Sequence, residues 1–106
     1  MALRPKNMAQ LSPSAGLDTL LYTVPAASTI IAKLHIANRG SVTDTVRVAK
    51  RVAGAADDVS QYRVYDWPLA ARDFHELTIV AEATDVVYVR SAQGSTTFTL
   101  EGLLRS

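Results

Sequence analysis

The sequence of 106 residues contains no cysteine. That absence excludes disulfides, thiolate metal sites and cysteine nucleophiles together. Small extracellular domains commonly depend on disulfides, so it also leans towards synthesis in a reducing compartment. Histidine is scarce: His35 and His75 are the only two. The five glycines stand singly, which leaves no glycine-rich loop to cradle a phosphate. No charge sign is in excess, because 11 Lys and Arg oppose 10 Asp and Glu. A nucleic-acid surface gathers its cations on one face. Here the densest group is Arg47, Lys50 and Arg51, which reads as a solvated strand face, so no nucleic-acid partner is expected. No apolar run reaches the ~18–20 residues that a membrane-spanning helix needs, so no membrane partner is expected either. The basic start Met1-Ala2-Leu3-Arg4-Pro5-Lys6 is followed by polar residues and not by an apolar segment, unlike a secretory signal.

What remains is one domain's worth of chain, 48% hydrophobic and 20% charged, with β-strand patterning. Residues 1–18 carry two of the four prolines and no sustained period. They read as an extended N-terminal arm, which stays ordered only if its own domain or a neighbour holds it. Residues 19–106 read as the β-sandwich domain. Leu20 to Val24 is a short strand stopped by Pro25. In residues 28–38, Ile30, Ala32, Leu34 and Ile36 alternate with Ile31, Lys33, His35 and Ala37, so the first set faces the core. Asn38-Arg39-Gly40-Ser41 is a turn, with Gly40 free to adopt positive φ. Further strands are expected over 45–50, 61–65, 72–80, 85–90 and 96–101. A loop lies at Ala53 to Asp58, and Phe74 falls off the period of Leu77 and Ile79, which suggests a bulge near His75 and Glu76. About seven short strands with turn signals every eight to twelve residues predict an all-β, antiparallel β-sandwich.

Reactive groups do not converge. His35 lies on the outward parity of its strand, and Asp73 with His75 would supply only two metal ligands where zinc takes three or four. No serine sits in a G-x-S-x-G elbow. The pair Asp57-Asp58, in a Gly/Ala loop, reads as a turn former. The reading is therefore a non-enzyme with no cofactor and no metal. The aromatic group Tyr62, Tyr65 and Trp67 suits packing, a protein contact or a stacking surface for sugar rings. Candidate interface residues are Ile31, Tyr65, Trp67 and Val80.

Particular segments resemble small β-rich virion proteins of tailed bacteriophages. They are Leu21-Tyr22-Thr23-Val24-Pro25-Ala26, Ala37-Asn38-Arg39-Gly40, Asp44-Thr45-Val46-Arg47-Val48-Ala49, Tyr65-Asp66-Trp67-Pro68-Leu69 and Asp85-Val86-Val87-Tyr88-Val89. The resemblance covers roughly residues 20–104 and leaves out the arm. It implies a sandwich that assembles on the virion, after synthesis in the host cytoplasm, and it implies no catalytic residues. The expected function is a structural protein of the capsid, neck or tail, attached to other virion proteins through its arm and sandwich edges. A homo-oligomer, by family impression a trimer, is expected. The alternative is a carbohydrate-binding or host-recognition module using Trp67 with Tyr65 or Tyr62.

Overall fold

The computed structural model describes residues 3–52 and 61–105. The described residues form eight strands: β1 (Leu3–Leu11), β2 (Thr19–Thr23), β3 (Thr29–Asn38), β4 (Asp44–Arg51), β5 (Tyr62–Leu69), β6 (Phe74–Ala81), β7 (Val86–Ser91) and β8 (Thr96–Arg105). They make two antiparallel four-stranded sheets, packed as a sandwich. The first has the order β1-β8-β3-β6 and the second β2-β7-β4-β5. The expected all-β sandwich is what the chain forms. The loop read at Ala53 to Asp58, with Asp57 and Asp58, lies outside the described residues.

The eighth strand comes from the arm. Residues 3–11 are extended, as read, and pair along β8 from Leu3↔Arg105 to Leu11↔Phe98. The arm is thus held by its own domain. Two features hide this strand from a period search. Pro5 lacks a ladder donor, which an edge strand tolerates. A register shift between Asn7 and Ala9 reverses the parity partway. Beyond the strand, Ser12 Oγ and Thr97 Oγ1 lie 2.8 Å apart, and Arg39 Nε donates to Thr97 Oγ1 at 2.7 Å.

The core forms where the inner faces of the sheets meet. Ile30, Leu34 and Ile36 of β3, Phe98 and Leu100 of β8, Val46 and Val48 of β4, and Val87 and Val89 of β7 are all at most 1% exposed. These are the central strands of each sheet, so period-two patterning is cleanest where both neighbours are paired. Phe74 is a correction. The β3–β6 ladder runs without a shift from Ile30↔Ala81 to Ala37↔Phe74. Phe74 is off the inward parity because it points into solvent, 68% exposed, and not because the strand bulges.

Two polar knots fasten one end of the sandwich. Asn38, buried at the end of β3, directs its amide nitrogen at the carbonyls of Val42, Leu69 and Ala70, and its oxygen accepts from Gly40 N and Ser95 Oγ. Asp44, fully buried, accepts from the hydroxyls of Ser91 and Thr96 and from Gln93 N. Together the two side chains tie the turns after β3, β5 and β7. The expected positive φ at Gly40 is absent, since among the described residues glycine takes that conformation at Gly16 and Gly94. Gly40 is needed for close approach: a Cβ there would lie 2.9 Å from Ser95 Cβ and 3.2 Å from Asn38 Oδ1.

Candidate interaction surfaces

The outer face of the first sheet is built by residues that the core alternation pushes outward. The ladders fix their neighbours. Ile31 on β3 lies directly between Val80 on β6 and Leu103 on β8. These three are 56%, 53% and 38% exposed and form one apolar row across the sheet. The next row is Thr78, Lys33 and Glu101, then Glu76, His35 and Thr99, then Phe74, Ala37 and Thr97. The two middle rows form a charge lattice. His35 Nε2 lies 3.1 Å from Glu101 Oε1, its Nδ1 3.7 Å from Glu76 Oε2, and Lys33 Nζ 3.9 Å from the same Glu76 oxygen. The face therefore has apolar groups at both ends and a charged middle.

The structure joins Ile31 and Val80, which the sequence proposed separately. It adds Leu103, which sequence reading missed. One signal for it was present: of two adjacent leucines in a strand, Leu103 and Leu104, only one can face inward.

The outer face of the second sheet has a different chemistry, created by an irregularity in β5. Val46 pairs with Trp67 and Val48 with Val64, so Tyr65 and Asp66 together oppose the single residue Arg47. This is a β-bulge, and Asp66 carries its positive φ of 49°. Both extra residues turn outward and Arg47 holds both. Its Nε lies 2.5 Å from Asp66 Oδ1, and its guanidinium sits 4.4 Å from the Tyr65 ring centroid. The hydrogen bond from Arg47 holds the Asp66 carboxyl below the usual carboxylate range. Tyr62 meets Tyr65 edge-to-face at 4.9 Å. Further along, Arg51 lies 3.9 Å from the Tyr88 ring. Ala49 pairs with Tyr62 on one side and Tyr88 on the other, and is 1% exposed although it points outward, as its parity predicts.

The same bulge separates Tyr65 from Trp67. In an unbroken strand they would share a face. Here Trp67 lies opposite inward Val46 and stacks on His75 of the facing sheet, with ring centroids 5.5 Å apart. It closes the gap between the edge strands β5 and β6 while staying half exposed. The sequence-proposed residues thus fall into three places: Ile31 with Val80, Tyr65 on the opposite outer face, and Trp67 between the edges. The two histidines are on opposite faces of the first sheet, His35 outward and His75 inward beside Trp67. Asp73 is occupied by its own turn, where its Oδ1 accepts from Phe74 N. Among the described residues, no group of three or more His, Asp or Glu is placed to hold a metal ion.

The segments that carried the virion-protein resemblance occupy structural positions. Asn38 of the Asn-Arg-Gly turn donates to the Leu69 carbonyl that ends the Tyr65–Leu69 segment. Asp44 and Asp85 are both buried, and Asp85 Oδ2 accepts from Glu82 N in the turn before β7. No family model matches the chain, and no curated protein does.

Proposed function

We propose that the chain is a non-catalytic structural subunit of a tailed-bacteriophage virion, which binds its neighbours through its surfaces as a homo-oligomer. The observation that carries this reading is the row Val80, Ile31 and Leu103, three large apolar side chains standing side by side on an uncovered sheet face. Contiguous exposed apolar surface marks a contact site more often than a free surface. The resemblance supplies the setting, and its motif residues make the turns and buried knots that keep such a sandwich rigid. The test is mass spectrometry of purified particles of a phage that encodes the chain. The chain is expected at a fixed stoichiometry. Its absence from particles, together with failure of the purified protein to bind them, would refute the proposal.

A second reading, a carbohydrate-binding or host-recognition module, draws on the exposed group of Tyr62, Tyr65 and Arg47. Stacked aromatic edges beside an arginine suit a sugar ring. Trp67 does not join this platform, since it faces His75. A glycan array that gives no signal, or a signal unchanged in Tyr65→Ala, would remove it.

A further inference from the structure

The edge strand β5 is the irregular member of the second sheet. It departs from its ladder with β4 twice: Arg63 is passed over between Val64 and Tyr62, and Tyr65 with Asp66 opposes the single residue Arg47. Asp66 adopts a φ of 49°, a conformation that an L-residue takes at a cost. Backbone strain of this kind gathers at functional sites. Its product here is a cluster on one exposed face, with Tyr62, Tyr65 and Asp66 set around Arg47. We propose that this cluster binds an uncharged hexopyranose, with Asp66 and Arg47 on two neighbouring hydroxyls and Tyr65 against the C–H groups of the sugar ring. The proposal rests on the carbohydrate reading above, to which it gives residues and a class of sugar.

Neighbouring sugar hydroxyls are held best by an acceptor and a donor set side by side. Asp66 and Arg47 are such a pair. Arg47 Nε lies 2.5 Å from Asp66 Oδ1, and among the described residues the other Asp66 oxygen takes no hydrogen bond. The Asp66 side chain is 47% exposed and that of Arg47 is 24% exposed. One hydroxyl donates to the open carboxylate oxygen and its neighbour accepts from the guanidinium. Both bonds are charge-assisted, and so stronger than bonds between neutral groups. Tyr65 stands beside both groups, with the Arg47 guanidinium 4.4 Å from its ring centroid and 49% of its surface open.

The charges around the cluster favour a neutral sugar over an acidic one. Arg47 lies directly opposite Arg90 in the ladder, two like charges side by side. A carboxylate flanks each of them: Asp66 meets Arg47, and Asp18 Oδ1 lies 3.7 Å from Arg90 Nη1. Arg90 also acts on Asp66. The row Asp18, Arg90, Arg47, Asp66 is therefore balanced in charge, and its most exposed member is the carboxylate Asp66. A uronate or a sulfated sugar arriving at Tyr65 meets that carboxylate, a like-charge contact that disfavours binding. Arg51, the next cation on this face, lies over Tyr88, on the far side of Ala49 from Arg47. The site is an open sheet face and not a pocket, so a single sugar ring should bind weakly, with a dissociation constant on the order of 1–10 mM.

Amide NMR spectra of the full chain test the site, titrated to about 50 mM with the methyl glycosides of glucose, galactose and mannose and with those of the corresponding uronic acids. At least one neutral glycoside should shift the amides of Arg47, Tyr62, Tyr65 and Asp66, and its uronic counterpart should bind about threefold or more weaker. Tyr65→Ala should weaken the neutral sugar about tenfold or more, and Tyr65→Phe, which keeps the ring, should retain it. Asp66→Asn keeps the shape and tolerates positive φ; it should weaken the neutral sugar about fivefold and reverse the preference in favour of the uronate. Melting curves of all variants confirm that they are folded. Shifts centred elsewhere on the chain, a uronate preferred by the native chain, or a preference unmoved in Asp66→Asn overturns the proposal and leaves the carbohydrate reading standing. Binding unchanged in Tyr65→Ala overturns both. No shift with any of these sugars overturns the proposal, and the glycan array then judges the carbohydrate reading separately, so the two failures are distinguishable.

Discussion

Asp44 is the side chain on which one end of the sandwich depends, and its removal makes the sharpest stability prediction. It is 0% exposed and accepts from Ser91 Oγ, Thr96 Oγ1 and Gln93 N, two of these on residues that are themselves 0% exposed. Burial pushes its carboxyl up, but the hydrogen bonds from Ser91, Thr96 and the backbone outweigh burial and hold it below the ordinary carboxylate value. Asp44→Ala strands three donors. Each stranded donor costs about 1–3 kcal/mol, less where a hydroxyl can turn elsewhere, so a loss of about 3–4 kcal/mol is expected. At ~4–8 °C per kcal/mol for a chain of this size, the melting temperature should fall by roughly 12–30 °C. Asp44→Asn keeps one acceptor oxygen but turns a donor towards the hydroxyls, and should lose about half as much. The pH dependence follows from the depressed value. The contribution is fully present above the unfolded-state carboxylate value and is lost as pH falls through the lower folded-state value. The gap in melting temperature between the native chain and Asp44→Ala should therefore be constant near neutrality and narrow in acid. Calorimetry of both proteins from neutral pH into acid provides the assay. A shift of only a degree or two at neutral pH, or a gap that does not narrow in acid, would refute this account.

Three further outcomes follow from the geometry. Gly102→Ala should destabilise by about 3 kcal/mol or prevent folding, because a Cβ there would lie 2.5 Å from both Ala32 Cα and Ile31 O, rigid backbone of the neighbouring strand; denaturant unfolding measures it. Arg47→Gln should speed amide exchange at residues 64–67 while leaving the global melt nearly unchanged, because the arginine clamps a local bulge on an exposed face. Fluorescence of Trp67, the only tryptophan, should change in intensity or emission maximum in His75→Ala, which removes the ring stacked on it; an unchanged spectrum would contradict the stacked geometry.

How much of this was legible in the sequence depended on how regular the pairing is. β3 and β8 are central and unshifted against each other, and the inward set from Ile30 to Ile36 and from Thr96 to Leu100 read directly from alternation. The strand at residues 61–65 was expected to end at Asp66-Trp67-Pro68. Instead β5 continues to Leu69, because the bulge opposite Arg47 accommodates Asp66 and because β5 is an edge strand, where the missing donor of Pro68 is tolerated. The same effect hid β1. Ile31 and Val80 were visible as outward apolar residues, but their adjacency required the register, which no local pattern contains. Trp67 and Tyr65 were grouped by sequence proximity, and one residue at positive φ parted them.

The distribution of irregularities also bears on which surface can make contacts. An exposed strand edge invites pairing with another chain, and proteins blunt such edges with bulges, charges and proline. Of the four edge strands, β1, β2 and β5 each carry a register shift. β5 also carries Pro68, and β1 carries Pro5. β6 is regular, but Lys50 Nζ donates to the Val80 carbonyl near one end and Asp73 Oδ1 accepts from Phe74 N at the other. Blunted edges argue against attachment by adding a strand to an edge. The outer face of the first sheet shows no such protection: lysine, histidine and glutamate occupy its middle, while Val80, Ile31, Leu103 and Phe74 stand bare at its ends. If edges were the attachment surface, a proline in the middle of β6, as in Thr78→Pro, would abolish assembly and Val80→Glu would not. If the face is the surface, Val80→Glu abolishes it in a chain whose edges are intact.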